Sequence, residues 1–85
     1  MKAIYEYKGY KYHNETEYME DNVKIYHEAI DPNGKSISMD WSPYDTPTME
    51  DFATWIDLGC PGRLTKNNVS CPLRREDLIQ IAKEQ

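Results

Sequence analysis

The chain has 85 residues, of which 39% are hydrophobic and 12% aromatic, and it carries a formal charge of −5 at pH 7. This composition excludes a disordered chain, and the length leaves room for one modest core rather than for a deep enzyme cleft with its supporting shell. The negative charge is concentrated in residues 13–60, which hold eleven acids and two lysines, and this argues against direct binding of nucleic acid.

A tight β-hairpin is predicted over Tyr5–Tyr12, with its turn at Lys8 and Gly9. Glycine readily adopts the positive φ that a two-residue turn requires, whereas lysine is a poor residue at the first turn position. This register pairs Tyr5 with Tyr12 and places all four tyrosines of the segment on one side.

A second hairpin is predicted from Val23 to Ser42, because Asp31-Pro32-Asn33-Gly34 is a strong turn sequence. Asp31 then pairs with Lys35, and the register continues outward through three pairs: Ala29 with Ile37, His27 with Met39, and Ile25 with Trp41. The apolar residues share one face: Val23, Ile25, Ala29, Ile37, Met39 and Trp41. The other face is polar: Lys24, Tyr26, Glu28, Ser36, Ser38 and Asp40.

An amphipathic helix is predicted directly after this hairpin, from Pro47 to Leu58. Thr46 is the expected N-cap, Pro47 suits the first helical position, and Gly59 ends the helix. Its apolar stripe should pack on the apolar face of the sheet and consists of Met49, Phe52, Ala53 and Ile56.

Residues 60–72 are predicted as a loop and Pro72–Ala82 as a second helix, with Leu78, Ile79 and Ala82 facing inward. The N-cap of this helix is poor, because arginine stands where serine or threonine is preferred. The predicted fold class is therefore α+β: an antiparallel sheet of two hairpins, about four strands, packed by one amphipathic helix and followed by a C-terminal helix, in a single domain.

No catalytic or metal site is predicted, and no cofactor is expected. Cys60, Cys71, His13 and His27 are residue types that bind zinc, but the ten residues between the cysteines do not give the close spacing of zinc modules. Free thiols are therefore favoured over a disulfide or a metal site. His27 is the one polar residue on the apolar hairpin face, where a histidine is usually structural and satisfied by a hydrogen bond.

The tyrosines and the acids each allow two interpretations. Four tyrosines on one side of a short hairpin either pack under a helix or form an exposed contact surface, since tyrosine is enriched at binding hot spots. The acidic segment Glu15–Asp21 either is a solvated connection or binds a cation. It lacks the glycine and the ligand spacing of an EF-hand, which favours the connection.

The order of these elements resembles that of small accessory proteins of tailed bacteriophages, among them anti-defence proteins such as anti-CRISPRs. The resemblance is architectural and rests on the tyrosine-rich hairpin, the second hairpin, the acidic helix with Phe52-Ala53-Thr54-Trp55-Ile56-Asp57-Leu58-Gly59, and the closing helix. It implies a stoichiometric activity, in which the protein occupies a basic surface on a host nuclease, nucleic-acid-binding complex or polymerase.

The leading hypothesis is a non-enzymatic binding or inhibitor protein of the host cytoplasm, steered by its acidic surface to a basic host protein. No apolar run approaches the roughly 20 residues of a membrane helix, so no membrane partner is expected. The candidate contacts are Tyr7, Tyr10, Tyr26, Glu28, Asp40, Glu50, Asp51 and Asp57. The alternatives are a DNA mimic and a structural or assembly protein that oligomerises through a sheet edge. A small enzyme or zinc-binding module is a less favoured alternative, because the small core leaves little room for a catalytic pocket.

Overall fold

The computed structural model describes residues 4–85. Within them the elements follow in the order β1 (Tyr5–Tyr7), β2 (Tyr10–Tyr18), β3 (Val23–Ile30), β4 (Ser36–Ser38), α1 (Met49–Asp57), β5 (Leu64–Lys66), β6 (Val69–Cys71) and α2 (Arg75–Lys83). Strands β1 to β4 form one antiparallel sheet in chain order, and β5 pairs with β6 in a separate sheet. The predicted α+β class is confirmed. Neither described helix is long and apolar enough to cross a membrane.

The tyrosine hairpin forms in the predicted register, with Tyr5 opposite Tyr12 and Tyr7 opposite Tyr10. Both turn residues have positive φ, 50° at Lys8 and 83° at Gly9. The tyrosine side faces α1: the Tyr12 ring lies 5.3 Å from that of Tyr5 and 5.5 Å from that of Phe52. Tyr12 is fully buried and the other three rings are half-buried against the core, so the packing interpretation holds for this side of the hairpin.

The second hairpin keeps its predicted turn and the pair of Ala29 with Ile37, but β4 ends at Ser38. The predicted pair of Ile25 with Trp41 is wrong, because Trp41 instead forms a parallel bridge with Leu73. The Leu73 N–H donates to the Asp40 carbonyl at 2.6 Å, and the Leu73 carbonyl accepts from the Ser42 N–H at 2.9 Å. Backbone pairing with a distant segment thus draws residues 40–42 away from the sheet.

The two central strands extend beyond both edge strands. Strand β2 pairs with β3 from Lys11 opposite Ile30 as far as Tyr18 opposite Val23. Glu15–Glu17 therefore belong to a strand, whereas the sequence predicted a connection. Among the described residues, no strand pairs with the far end of this hairpin on the β4 side.

Helix α1 begins two residues later than predicted, and its N-cap is Thr48 rather than Thr46. The Thr48 hydroxyl accepts from the Asp51 N–H at 3.1 Å, while the Asp51 carboxylate accepts from the Thr48 N–H at 2.9 Å. This reciprocal capping box satisfies two otherwise unpaired backbone groups, which favours Thr48 over the isolated Thr46. Pro47 precedes the cap and is fully buried.

The buried stripe of α1 is rotated relative to the prediction. Phe52, Ile56 and Trp55 are buried, whereas Met49 is 39% exposed. The Trp55 indole N–H donates to the Pro61 carbonyl at 2.9 Å, and α2 packs against the same helix. The chain after α1 therefore covers a second side of the helix. The prediction considers only the packing of α1 on the sheet and so does not include Trp55 among the buried residues.

The region predicted as a loop contains the β5–β6 hairpin. Its turn residues Asn67 and Asn68 have φ of 52° and 65°, a conformation that asparagine tolerates better than most residues. Helix α2 starts at Arg75 and buries Leu78 as predicted, but Ile79 and Ala82 are exposed. The Asp77 carboxylate, not an N-cap side chain, accepts from the Arg74 N–H at 3.0 Å.

The core lies between the tyrosine side of the sheet, α1, and the segment leading into α2. Its buried hydrophobic residues come from β2, β3, both helices and the segments that follow β4 and precede α2: Tyr12, Ala29, Met39, Trp41, Phe52, Trp55, Ile56, Leu73 and Leu78. The opposite face of the sheet, which carries Tyr26 and Glu28, is covered by neither helix, because α1 packs on the side of Tyr12 and α2 packs against α1.

Candidate functional site

The predicted contact residues do not form one surface. Tyr26 and Glu28 alternate with the buried His27 and Ala29 along β3, so they lie on the sheet face opposite α1. Glu50 is exposed on α1. The helix acids therefore do not continue the polar face of the second hairpin, because α1 packs on the other face of the sheet.

Asp51 joins the two helices and is only 5% exposed. Besides capping α1, its carboxylate accepts from Arg75 Nε and Nη2, both at 2.9 Å. Burial alone would raise the pKa of Asp51, but the hydrogen bonds from Arg75 and Thr48 outweigh it and the pKa lies below its usual value. The structure therefore gives Asp51 a structural role in place of the predicted partner contact.

Asp57 anchors the first turn to the end of α1. Its carboxylate accepts from Lys8 Nζ at 2.8 Å and from the Tyr7 hydroxyl at 2.8 Å. The hydrogen bond from Lys8, followed by that from Tyr7, lowers the pKa of Asp57. Tyr7, Tyr10 and Asp57 thus lie together on the helix side of the molecule, away from Tyr26 and Glu28.

Two predicted contacts lie on the uncovered sheet face and are tied to neighbouring strands. The Tyr26 hydroxyl donates to Glu17 at 2.8 Å, and this hydrogen bond raises the pKa of Tyr26. The Glu28 carboxylate accepts from the Ser36 hydroxyl and lies 3.7 Å from His13 Nε2. These cross-strand pairs hold polar groups in fixed positions on the open face.

An acidic arm projects from the sheet. We use this name for Glu15–Tyr26, the far end of the β2–β3 hairpin, which holds four acids and one lysine. All residues from Glu15 to Val23 are exposed. The same segment carries exposed apolar side chains, with Tyr18 at 81%, Met19 at 52% and Val23 at 41%. Sequence reasoning took part of this segment for a solvated connection and missed the arm, although the alternation of Tyr12, Asn14, Thr16 and Tyr18 with charged residues was a signal of a long strand.

His27 sits in a buried hydrogen-bonded chain. Its Nε2 is 2.8 Å from the Ser42 carbonyl, which can only accept, so we assign the ring proton to Nε2. Nδ1 then accepts from the Tyr12 hydroxyl at 2.8 Å, and that hydroxyl accepts from Asn14 at 3.2 Å. Burial lowers the pKa of His27 and raises that of Tyr12 to about 12. This satisfied arrangement agrees with the predicted structural role of His27.

Asp40 lines a groove of about 520 Å³ between β3 and the segment from Ser38 to Tyr44. The floor includes Trp41, whose buried indole N–H has no hydrogen-bond partner among the residues that the structure describes. Leaving such a donor unpaired costs on the order of 1–3 kcal/mol.

Cys60 and Cys71 form no disulfide within residues 4–85. Cys60 and Cys71 are free thiols and half-buried, and burial raises the pKa of the Cys60 thiol. Within residues 4–85, no group of three or more histidine, cysteine or acidic side chains is placed to hold a metal ion.

Comparison with models of known protein families, with curated proteins and with solved structures found no match to this chain.

Proposed function

We propose that this protein is a small non-enzymatic binding protein whose acidic arm contacts a basic surface of a partner protein. The observation that carries the proposal is the coincidence, on one projecting hairpin, of four carboxylates with exposed aromatic and apolar side chains. Neither helix covers this hairpin end, so its side chains contribute nothing to the core and are available for contact.

The charge on the arm suits a basic partner. Glu15, Glu20 and Asp21 make no ion pair within residues 4–85, so their charge is free to attract a positive surface. Complementary charge of this kind raises the association rate and suppresses wrong partners.

The apolar side chains would supply the affinity. Tyr18 and Val23 are directly opposite each other on β2 and β3, and Met19 follows at the tip. Tyrosine is enriched at interface hot spots and methionine at protein interfaces, whereas a merely solvated connection would not need exposed apolar side chains. The proposed contact therefore centres on Tyr18 with a rim of carboxylates.

We further propose that the activity is inhibition by occupancy, and that the protein is a phage-encoded anti-defence factor that acts in the host cytoplasm. Support for this part is the architectural resemblance together with the acidic surface. A basic surface on a nuclease or another nucleic-acid-handling complex is the partner chemistry that such an arm fits.

The test compares matched variants in a bacterial host. One variant carries Glu20→Gln and Asp21→Asn at the tip of the arm, and its control carries Glu76→Gln on α2 and Glu84→Gln at the C-cap of α2. Both remove two negative charges from exposed positions. Tagged wild-type protein should recover a basic partner in a salt-sensitive manner, the arm variant should recover much less, and the control should resemble the wild type.

A third variant, Tyr18→Ala, separates affinity from folding. Because Tyr18 is 81% exposed, its replacement should leave the melting temperature nearly unchanged while weakening the complex. Equal recovery of the partner by the arm variant and the α2 control would exclude the arm as the contact. Recovery of nothing but the protein itself would refute the binding function.

A further inference from the structure

A groove opens where the sheet loses its edge strand. Strand β4 ends at Ser38, and residues 40–42 leave to pair with Leu73. The chain returns to β3 at Pro43, whose carbonyl accepts from the Ile25 N–H at 2.7 Å. The gap of about 520 Å³ between these two points lies within the size range of small-molecule sites.

The groove is positively charged although the protein is acidic. Its lining includes Lys24, Arg63 and Arg74 against the single carboxylate of Asp40, while burial lowers the pKa of His27 and so disfavours its charged form. Within residues 4–85, none of these three cations forms an ion pair. Unneutralised cations gathered in one concavity favour an anionic ligand.

The cations differ in how firmly they are held. Arg63 is oriented by Ser70. Its Nε donates to the Ser70 hydroxyl at 2.9 Å, and its Nη2 donates to the Ser70 carbonyl at 3.2 Å. The Lys24 ammonium lies 5.6 Å from the centre of the Tyr26 ring. Arginine matches a phosphate with two parallel donors, and a nearby lysine adds a point charge.

Aromatic rings border the same cations. Tyr26 and Tyr44 line the groove and are 49% and 64% exposed, and Trp41 lies in its floor. Exposed aromatic faces beside arginine side chains provide a stacking surface for a planar ring, as in sites that bind nucleobases. A carboxylate-bearing peptide would use the charges but would leave these ring faces without a matched partner.

We propose that this groove binds a small phosphate-bearing ligand with a planar ring, of the nucleoside monophosphate class. The phosphate is held by Arg63 and Arg74 with Lys24, and the base stacks on the tyrosines. Asp40 opposes the phosphate and limits its affinity. The groove shares Lys24 and Tyr26 with the acidic arm, but it lies apart from the proposed partner contact, which centres on Tyr18.

A free nucleotide fits better than the end of a polynucleotide. The protein carries a net charge of −5, and the acidic arm adjoins the groove through β3. A long polyanion would meet this negative surface as soon as it left the groove, whereas one phosphate would not.

The experiment measures binding to the full chain by calorimetry, with adenosine monophosphate as the probe. Adenosine and inorganic phosphate test the two halves of the ligand, and a 5′-phosphorylated oligonucleotide and an acidic peptide test the other sources of negative charge. We expect saturable binding of the nucleotide, weaker binding of each half, and weaker binding of the oligonucleotide and the peptide.

The matched variants are Arg74→Gln and Lys83→Gln, each of which removes one exposed cation with no ion pair in the described part of the chain. Arg74→Gln should weaken nucleotide binding about tenfold, the effect of losing one charge-assisted hydrogen bond. Lys83→Gln should leave it within about twofold. Asp40→Asn should strengthen binding, because it removes the opposing charge.

Several results would overturn the proposal. They are the absence of saturable nucleotide binding at millimolar concentration, equal binding of adenosine and its monophosphate, and equal weakening by the two cation variants. Tighter binding of the peptide or the oligonucleotide would reassign the groove to that ligand. None of these results depends on the acid-to-amide arm variant, so failure here is distinct from failure of the proposed protein-binding function.

Discussion

Replacement of Asp51 by asparagine tests how the two helices are held together. The substitution keeps the shape of the side chain and one acceptor for the Thr48 N–H, but removes the charge that faces Arg75 and the α1 N-terminus. A hydrogen bond to a charged partner contributes about 1.5–3 kcal/mol, and the helix dipole adds about 0.5 kcal/mol. The Arg75 side chain is 56% exposed and stays solvated after the change, which reduces the loss.

We therefore expect Asp51→Asn to lower the free energy of unfolding by about 2 kcal/mol, which corresponds to a decrease of roughly 8–16 °C in melting temperature for a domain of this size. Urea and thermal unfolding at pH 7 measure the effect. The control is Glu50→Gln, which changes an exposed acid in the same helical turn and should cost less than about 0.5 kcal/mol. Equal stabilities of the two variants would refute the role of the Asp51 carboxylate.

The pH dependence gives a second readout of the same interaction. The pKa of Asp51 lies below its usual value, so its contribution is complete above the unfolded pKa of about 3.9 and is lost as the pH falls through the lower folded pKa. The difference in stability between the wild type and Asp51→Asn should therefore shrink as the solution is acidified below about pH 4.

Two further predictions concern His27 and the turn glycines. Burial lowers the pKa of His27, so its neutral form contributes full stability above the unfolded pKa of about 6.5, and stability falls as the pH drops towards the folded pKa. The free energy of unfolding in urea should therefore depend less on pH in His27→Gln than in the wild type between about pH 7 and 5. An unchanged pH dependence would assign the loss of stability to other groups. Gly9 and Gly34 both have positive φ, but a Cβ at Gly9 would lie 3.0 Å from Pro32 Cγ whereas one at Gly34 meets open space. Thermal unfolding should show that Gly9→Ala costs more than Gly34→Ala, which itself should cost about 1 kcal/mol; the reverse order would contradict the close approach of the turn to Pro32.

The sequence by itself determined what depends on neighbours along the chain. The turns at Lys8-Gly9 and Asp31–Gly34, the registers beside them, and the existence of both helices follow from local turn geometry and periodicity, and the structure confirms them. The structural role of His27 followed from its place on an apolar face.

Only the tertiary structure decided what depends on distant partners. The bridge of Trp41 to Leu73 ends β4 early, opens the groove and moves Asp40 to its wall. The contact of Asp51 with Arg75 turns a predicted surface acid into an internal link. Charge and hydropathy record that a residue is polar, but whether it meets solvent or a buried cation depends on segments more than twenty positions away, and no local pattern specifies that pairing.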